Sequence, residues 1–161
     1  MEGRDWGGAI ITANKLEEQI VSSVLRGAGA ASIRVIRDNS TGFEALVDAN
    51  MLILSENAAP LDCFEWVKSL RRFPFSARKL PVFMVSGALT LVLVEKCKNA
   101  GANAIIGQPV SAATILNVIK KVLNKPRPFI EADGYAGPCR RAGIAVAGAG
   151  AHRRKADIKA A

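Results

Sequence analysis

The sequence predicts a doubly wound α/β domain, in which helices cover both faces of a parallel sheet of five strands. Short apolar runs alternate with helical segments from residue 8 onward. Residues 51–54 and 81–85 are continuously apolar, which is typical of strands that are buried on both faces. Strands that alternate with helices favour parallel pairing through right-handed crossovers, with functional residues at the carboxyl ends of the strands.

Each strand is predicted from a short apolar run, and each helix from regularly spaced apolar residues. The strands are expected at residues 8–13, 32–36, 51–54, 81–85 and 104–106. Leu16, Ile20 and Val24 recur at a spacing of four, which predicts a first helix with one apolar face. That helix is expected to end near Gly27 or Gly29, since glycine commonly terminates helices.

Four further helices are predicted between and after the later strands. The second is expected through residues 43–47, with Asn39 or Ser40 as its cap. The third has apolar residues at a spacing of three within residues 64–70, and the fourth opens at residues 89–94. The fifth carries the apolar stripe Ile115, Val118, Ile119 and Val122.

The composition of the 161 residues argues against several classes of protein. No apolar run approaches the length of about 18 residues that a membrane span requires, and no secretory signal pattern is present. Cys63, Cys97 and Cys139 are far apart, which argues against a zinc site or a disulfide framework and favours a reducing, cytoplasmic setting. His152 is the single histidine, so most histidine-based catalysis and metal binding is not expected.

The positive charge is concentrated towards the carboxyl end. The chain carries a net charge of +8, of which residues 125–161 contribute +5. Three prolines interrupt this region, and residues 142–151 are almost all alanine and glycine. We therefore expect a disordered amino terminus at 1–7, a domain at 8–124, and a basic, largely flexible tail at 125–161. Such a tail either favours acidic partners, nucleic acid or anionic lipid, or is simply solvated.

Residues 8–124 resemble the receiver domain of two-component response regulators. The resemblance rests on Phe64-Glu65 in the third helix, Leu80-Pro81-Val82 at the fourth strand, Ala100-Gly101-Ala102 before the fifth, and Pro109 after it. The spacing between these motifs also fits the family. The resemblance implies a CheY-like, flavodoxin-type sheet with strand order 2-1-3-4-5 and a role in bacterial signal transduction.

The resemblance also implies a phosphorylation pocket, and this sequence departs from it. Receivers use an acidic pair after the first strand and an aspartate ending the third to hold Mg²⁺, with a lysine ending the fifth. Here the acidic pair aligns with Thr12 and Ala13, the phosphoacceptor with Ser55 and the lysine with Gln108. The degenerate pocket comprises Thr12, Ala13, Ser55, Asn57, Ser86 and Gln108. We therefore expect no catalysis, no metal and no cofactor.

Two residues leave alternatives open at this pocket. Glu56 follows Ser55 and could stand in for the missing acid if the end of the strand relaxes, although neighbouring strand residues normally point to opposite faces. Ser55 could instead be modified by a kinase, although no motif supports this.

A partner-binding face is predicted on the fourth helix and fifth strand. Apolar residues within 89–94 wind around the helix, so they cannot all face the core. Leu91 and Leu93 are expected towards solvent, and Ile105 occupies the position of the receivers' aromatic switch residue. Receivers commonly use this face for dimers or downstream targets.

The region after residue 125 carries aromatic and arginine residues that suit docking. It is similar to a short Arg-Pro-Phe…Tyr-x-Gly-Pro-x-Arg-Arg tail that follows receiver domains in some bacterial proteins. The expected contact residues are Arg127, Phe129, Tyr135, Arg140 and Arg141. Three alternatives remain: the region docks on its own domain, docks on a partner, or stays loose.

The sequence therefore predicts a receiver-like signalling adaptor that cannot be phosphorylated and binds a kinase, a regulator or a second copy of itself. The alternative is a sensor of an anionic nucleotide messenger, such as cyclic di-GMP, bound through Arg71-Arg72 and Arg140-Arg141. Non-specific binding of nucleic acid by the tail is a third hypothesis.

Overall fold

The computed structural model describes residues 5–40 and 42–148, which form eight strands and four α-helices. In chain order these are β1 (Gly7–Ile11), α1 (Lys15–Gly27), β2 (Ser32–Ile36), β3 (Met51–Ser55), α2 (Cys63–Arg71), β4 (Val82–Ser86), α3 (Leu91–Ala100), β5 (Ala104–Gly107), α4 (Ala112–Asn124), β6 (Phe129–Ala132), β7 (Tyr135–Pro138) and β8 (Ala145–Gly148). None of these helices is long and apolar enough to cross a membrane.

The main sheet has six parallel strands in the order β2-β1-β3-β4-β5-β8. The predicted order 2-1-3-4-5 is confirmed, with β8 added at the β5 edge. Side chains that alternate along each strand pack into two cores. Ile11 and Leu54 face α2 and α3, whereas Ile10 and Ile53 face α1 and α4. The carboxyl ends of β1, β3, β4 and β5 therefore meet at one edge of the sheet.

Polar side chains fix where the helices begin. Asn14 accepts hydrogen bonds from the backbone amides of Leu16 and Glu17 and starts α1 immediately after β1. Thr90 and Ser111 cap α3 and α4 in the same way. These caps place the first turns of three helices at the carboxyl edge of the sheet.

The prediction of a second α-helix through residues 43–47 is wrong, because residues 43–46 form only a short 3-10 helix. Gly42 precedes it and gives no side-chain cap. Asn39, one of the two predicted caps, is fully buried and instead bonds the backbone of Ala58 and Leu61. Phe43 anchors the segment through its edge-to-face contact with Trp66, whose ring centroid is 5.1 Å away.

The prediction of disorder at both ends also does not hold for the residues that the structure describes there. Trp6 is buried and its carbonyl accepts from the amide of Ala31, so order begins before residue 8. Residues 125–148, which we name the C-terminal segment, form the antiparallel hairpin β6–β7 and then β8. Residues 1–4 and 149–161 lie outside the described residues.

β8 is ordered because side chains on both of its faces pack against the two cores. Ile144 and Val146 pack against the core beneath α2 and α3, while Ala145 and Ala147 pack against the core beneath α1 and α4. The alternation of large and small residues gives β8 two apolar faces, and the alanines allow it to lie close to α4. β8 thereby covers the β5 edge that the predicted five-stranded sheet would leave open.

Two arginines bond the loop before β5, and one of them, Arg127, belongs to the C-terminal segment. Arg71 is 1% exposed and donates to the carbonyl oxygen of Gly101 at 2.9 Å. Arg127 donates to the carbonyl oxygens of Cys139 at 3.0 Å and Asn103 at 3.2 Å. The loop before β5 is therefore bonded from both sides.

We predict that a chain ending after Asn124 is markedly less stable than a chain ending after Gly148. The shorter chain loses the buried Tyr135 and the contacts of Ile144 and Val146. Full burial of such a side chain contributes about 1.5–3 kcal/mol, and Ile144 and Val146 are half-buried, so we expect a total loss of about 3 kcal/mol. For a domain of this size that lowers Tm by about 6 °C or more, measurable by circular dichroism. Equal melting of the two chains would contradict the prediction.

Candidate functional site

The degenerate pocket lies at the carboxyl edge of the sheet, where its predicted residues do come together. A cavity of about 310 Å³ is lined by Ala13, Asn14, Glu17, Ser55, Asn57 and Gln108. Thr12 and Ser86 are buried and do not line it. We call this cavity the strand-end pocket.

The end of β1 brings no charge to the strand-end pocket. Thr12 is fully buried, and its hydroxyl oxygen accepts from the amide of Asn14 at 3.0 Å. Thr12 therefore shapes the turn into α1. Ala13 is exposed and apolar. The two positions where receivers carry acidic residues thus offer no carboxylate.

The carboxylate of Glu56 is hydrogen-bonded to the end of β4. The hydroxyl of Ser86 lies within hydrogen-bonding distance of the carboxylate of Glu56 and of the carbonyl oxygen of Ala88, and it accepts from the amide of Ala88 at 3.2 Å. Glu56 thus reaches the hydroxyl of the β4 end, but it is not among the residues that line the strand-end pocket. The hydroxyl that would contact a phosphoryl group is already bonded to a carboxylate.

Glu17 is the functional candidate that the sequence analysis missed. It projects from the first turn of α1, is only 4% exposed, and accepts at Oε2 from the side-chain amide of Gln108 at 2.8 Å. Its Oε1 is buried and has no hydrogen-bond partner among residues 5–40 and 42–148. The available signal was its position three residues after the cap Asn14, where an acidic side chain turns back towards the start of the helix.

A second cavity adjoins the strand-end pocket on the side of α1. It has a volume of about 410 Å³, and we call it the Glu17 groove. Its lining residues are Asn14, Leu16, Glu17, Ile20, Gln108, Pro109 and Val110. Asn14, Glu17 and Gln108 line both cavities, so the hydrogen-bonded pair Glu17–Gln108 lies in the wall between them. The combined site contains a buried carboxylate, amides, a hydroxyl and an apolar wall.

The site lacks the usual features of metal or thiol chemistry. Within the described ranges 5–40 and 42–148, no group of three or more His, Cys, Asp or Glu side chains could hold a metal ion. Cys63 donates to the carbonyl oxygen of Ser55 at 3.1 Å, and burial raises the pKa of its thiol to about 11. Burial raises the pKa of Cys97 to about 12. Neither thiol is a nucleophilic thiolate near neutral pH.

The predicted partner-binding face is only partly at the surface. The predicted fourth helix is α3, in which Leu91 is 46% exposed, Val92 is 67% exposed, and Leu93 packs partly against the core. The prediction that Ile105 contacts a partner is wrong, because its side chain is 0% exposed. It lies between β4 and β8 and points into the core beneath α3. The apolar surface patch of this region consists of Leu91 and Val92.

The predicted tail residues contact their own domain. Arg140 donates to Asn99 at 3.0 Å and stacks on the ring of Tyr135, 4.1 Å from its centroid. The ring of Phe129 lies 4.9 Å from the guanidinium carbon of Arg78. Together with the contacts of Arg127, these contacts agree with the first of the three alternatives, in which the region docks on its own domain, for residues 125–148.

The proposed arginine pairs differ in their accessibility. Arg71 is enclosed by backbone carbonyls, and burial lowers the pKa of its guanidinium to about 10. Arg71 remains charged at neutral pH but cannot reach a ligand. The prediction that it contacts a nucleotide is therefore wrong. Arg140 and Arg141 line a separate cleft of about 560 Å³, together with Lys98 and Tyr135. We call it the hairpin cleft.

The comparisons with known proteins identify the fold. No family model and no curated protein matches the sequence. The chemotaxis response regulator CheY4 of Vibrio cholerae is 22% identical, with a TM-score of 0.63 over 74% of this chain and 99% of that one. A CheY-like receiver domain protein from Methanospirillum hungatei is 18% identical, with a TM-score of 0.65 over 75% of this chain and 95% of that one.

A third solved structure contains a partner. It is the CheX–CheY–BeF₃–Mg²⁺ complex of Borrelia burgdorferi, whose matching chain is 17% identical, with a TM-score of 0.67 over 74% of this chain and 90% of that one. Many further solved chains also match. The chain thus has the fold of the CheY-like receiver domains of response regulators, extended by the C-terminal segment.

Proposed function

We propose that this chain is a signalling adaptor of the receiver fold, in a bacterial regulatory pathway, that acts by binding a protein partner without being phosphorylated. The observation that carries the proposal is the charge of the strand-end pocket. Its buried ionisable group is Glu17, which is bonded to the neutral amide of Gln108. Ser55 supplies a hydroxyl where a receiver requires a carboxylate.

Transfer of a phosphoryl group to a receiver requires three things that this pocket does not combine. The acceptor must be a nucleophilic oxygen, a metal must be held by carboxylates, and a cation must neutralise the developing charge. Ser55 lacks a carboxylate, the β1 end presents Thr12 and Ala13, and Gln108 brings no positive charge. Because no metal or lysine offsets its charge, the carboxylate of Glu17 would also repel an incoming phosphate anion.

The exposed patch of Leu91 and Val92 is the surface that we propose for the partner. Both residues lie in the first turn of α3, beside solvent-exposed Glu95 and Lys96. Apolar groups at the surface with a charged rim are typical of protein interfaces. The solved complex of CheX with CheY illustrates that a protein of this fold binds another protein. We propose a kinase, a regulator or a second copy of this chain as the partner.

We predict that Ser55→Asp does not restore phosphorylation. The variant regains an acceptor carboxylate, but the metal carboxylates and the cation are still missing. After incubation with a small phosphodonor and Mg²⁺, intact-mass spectrometry should find no added phosphoryl group on either the parent chain or the variant.

The matched control restores the whole set with Thr12→Asp, Ala13→Asp, Ser55→Asp and Gln108→Lys, and we expect this chain to be labelled. Titration of the parent chain with Mg²⁺ and then beryllofluoride should leave the amide NMR signals of Ser55, Ser86 and Gln108 in place. Labelling of Ser55→Asp alone, or saturable shifts in the parent chain, would refute the proposed function.

A second candidate function is the binding of an anionic nucleotide in the hairpin cleft. The observation that favours it is the grouping of Lys98, Arg140 and Arg141 around a cleft of about 560 Å³. Its wall includes apolar Ile130, which is 38% exposed and next to which a base could pack. Guanidinium groups suit bidentate contact with phosphate.

For this candidate we predict that cyclic di-GMP binds with measurable heat in calorimetry, and that Arg141→Ala lowers the affinity about tenfold or more, as expected for the loss of a charged hydrogen bond. Arg72→Ala removes the same charge at an exposed position outside the hairpin cleft and should have no effect. Absence of heat at high protein concentration would eliminate the candidate.

A further inference from the structure

The Glu17 groove combines an exposed apolar wall with an incompletely paired carboxylate. Leu16 is 66% exposed at its rim, and Ile20 and Val110 line it. Glu17 Oε2 accepts from Gln108, whereas Oε1 has no partner among residues 5–40 and 42–148. A buried charged oxygen without a partner is costly, and a cation brought into the groove would offset that cost. The groove therefore fits a ligand that joins a cation to an aliphatic stem.

The described chain ends beside this groove. Gly148 is paired with Gly107 in the parallel register of β8 and β5, and β5 leads directly to Gln108. Gly148 has a φ of +100°, and a Cβ there would overlap the carbonyl oxygen of Gly107. Only glycine allows this close approach without strain. The backbone is thus held against the end of β5, at the same edge of the sheet as Glu17.

Residues 149–161, which we name the basic tail, carry the complementary charge. They contain four lysine and arginine residues, Arg153, Arg154, Lys155 and Lys159, and one acidic residue, Asp157. The five residues from Gly148 to Arg153 span roughly 17 Å when extended. The path from Gly148 to Gln108 is one strand spacing of about 4.8 Å and one Cα–Cα step of about 3.8 Å. Arg153 and Arg154 can therefore reach the groove.

We propose that residues 152–155 of the basic tail dock in the Glu17 groove of the same chain, where the guanidinium of Arg153 or Arg154 pairs with the carboxylate of Glu17. Rotation of the half-buried Gln108 side chain opens the carboxylate to the guanidinium. The aliphatic stem of the arginine then covers Leu16 and Val110.

Docking within one chain is favoured over docking between chains. The tail begins next to the groove, so its effective concentration there is high, about millimolar for a connection of a few residues. A second copy would have to supply the same side chains at its much lower free concentration. The occupant is therefore the chain's own tail, and exchange between copies is an outcome that the experiment must distinguish.

The test uses the full chain with a nitroxide attached at position 156 through Ala156→Cys, in a Cys139→Ser background. Cys63 and Cys97 are buried, at 2% and 0% exposure, and should not be labelled. We expect the amide NMR signals of Leu16, Ile20 and Val110 to lose most of their intensity, and to regain it when the nitroxide is reduced. Signals of Trp66 and Leu70 in α2, which packs on the opposite face of the sheet, should keep much more of their intensity.

The matched controls alter one carboxylate at a time. Glu17→Gln should restore the intensities, because a guanidinium has no charge to pair with there. Glu18→Gln makes the same change at the next residue, which pairs with Arg37, and should leave the intensity loss in place. Arg153→Gln with Arg154→Gln tests the same contact from the tail, and should also restore the intensities. Unchanged amide chemical shifts of Val21 and Leu25 would verify that α1 is intact in each variant.

Three results would overturn the proposal. The first is an intensity loss that Glu17→Gln and the double arginine variant leave unchanged, since the contact would then not depend on this ion pair. The second is an intensity loss centred elsewhere, or none at all, as for a solvated tail. The third is the same loss in an isotope-labelled chain without nitroxide when it is mixed with an unlabelled chain that carries the nitroxide. That result would assign the groove to the tail of a second copy.

Discussion

Arg71 places a guanidinium that is 1% exposed among the loops at the amino ends of β4 and β5, and its hydrogen-bond acceptors are uncharged oxygens. It donates to the carbonyl of Leu80 at 2.7 Å and to the side-chain oxygen of Asn103 at 2.8 Å, in addition to Gly101. Removing this cation from water is costly, and the fixed fork of donors offsets the cost only because several acceptors converge on it. The two loops are therefore held in a single arrangement.

The position of the C-terminal segment follows from that arrangement. Asn103, bonded by Arg71 through its side chain, accepts from Arg127 and from the amide of Ala145 through its backbone carbonyl. Gly101 has no side chain, and a Cβ there would lie 3.2 Å from the carbonyl oxygen of Ala136, so the hairpin packs directly on this turn. One loop thus positions the start of β5, the hairpin and the start of β8. Because β8 runs parallel to β5, it carries the chain from this loop to the carboxyl edge of the sheet.

The sequence predicts those parts of the fold whose signal is local. Apolar runs such as 51–54 give strands, and the spacing of apolar residues in 112–124 gives a helix, since both depend on burial of near neighbours. The segment at 43–46 was not predictable in this way. A few apolar residues suit one turn of any helix, and the anchoring of Phe43 on Trp66 depends on distant packing. β8 has an alternation at Ile144 and Val146, but its alanine and glycine content indicated disorder.

The same distinction applies to the site. Thr12, Ser55 and Gln108 were placed correctly because strand ends in a parallel sheet converge by topology. The burial of Glu17 was not predictable, since it depends on how closely the first turn of α1 approaches Gln108 across the strand ends. Ile105 was assigned to the partner-binding face because it occupies the position of the receivers' aromatic switch residue, whereas its side chain lies in the core, with β8 on the other side of β5. Errors of both kinds arise from contacts between residues that are distant in sequence.

The pair of Glu17 and Gln108 places a carboxylate and a neutral amide at the strand-end pocket, without the cation that a receiver has at the end of its fifth strand. A pocket that accepts a phosphoryl group must concentrate positive charge, from a metal and from a lysine, around an oxygen nucleophile. Here a buried carboxylate is bonded to an amide, and the hydroxyl of Ser86 is bonded to a second carboxylate, Glu56. Both carboxylates disfavour an anion and favour a cation. An aspartate at position 55 alone adds a further carboxylate and no cation, whereas a guanidinium is complementary to these carboxylates.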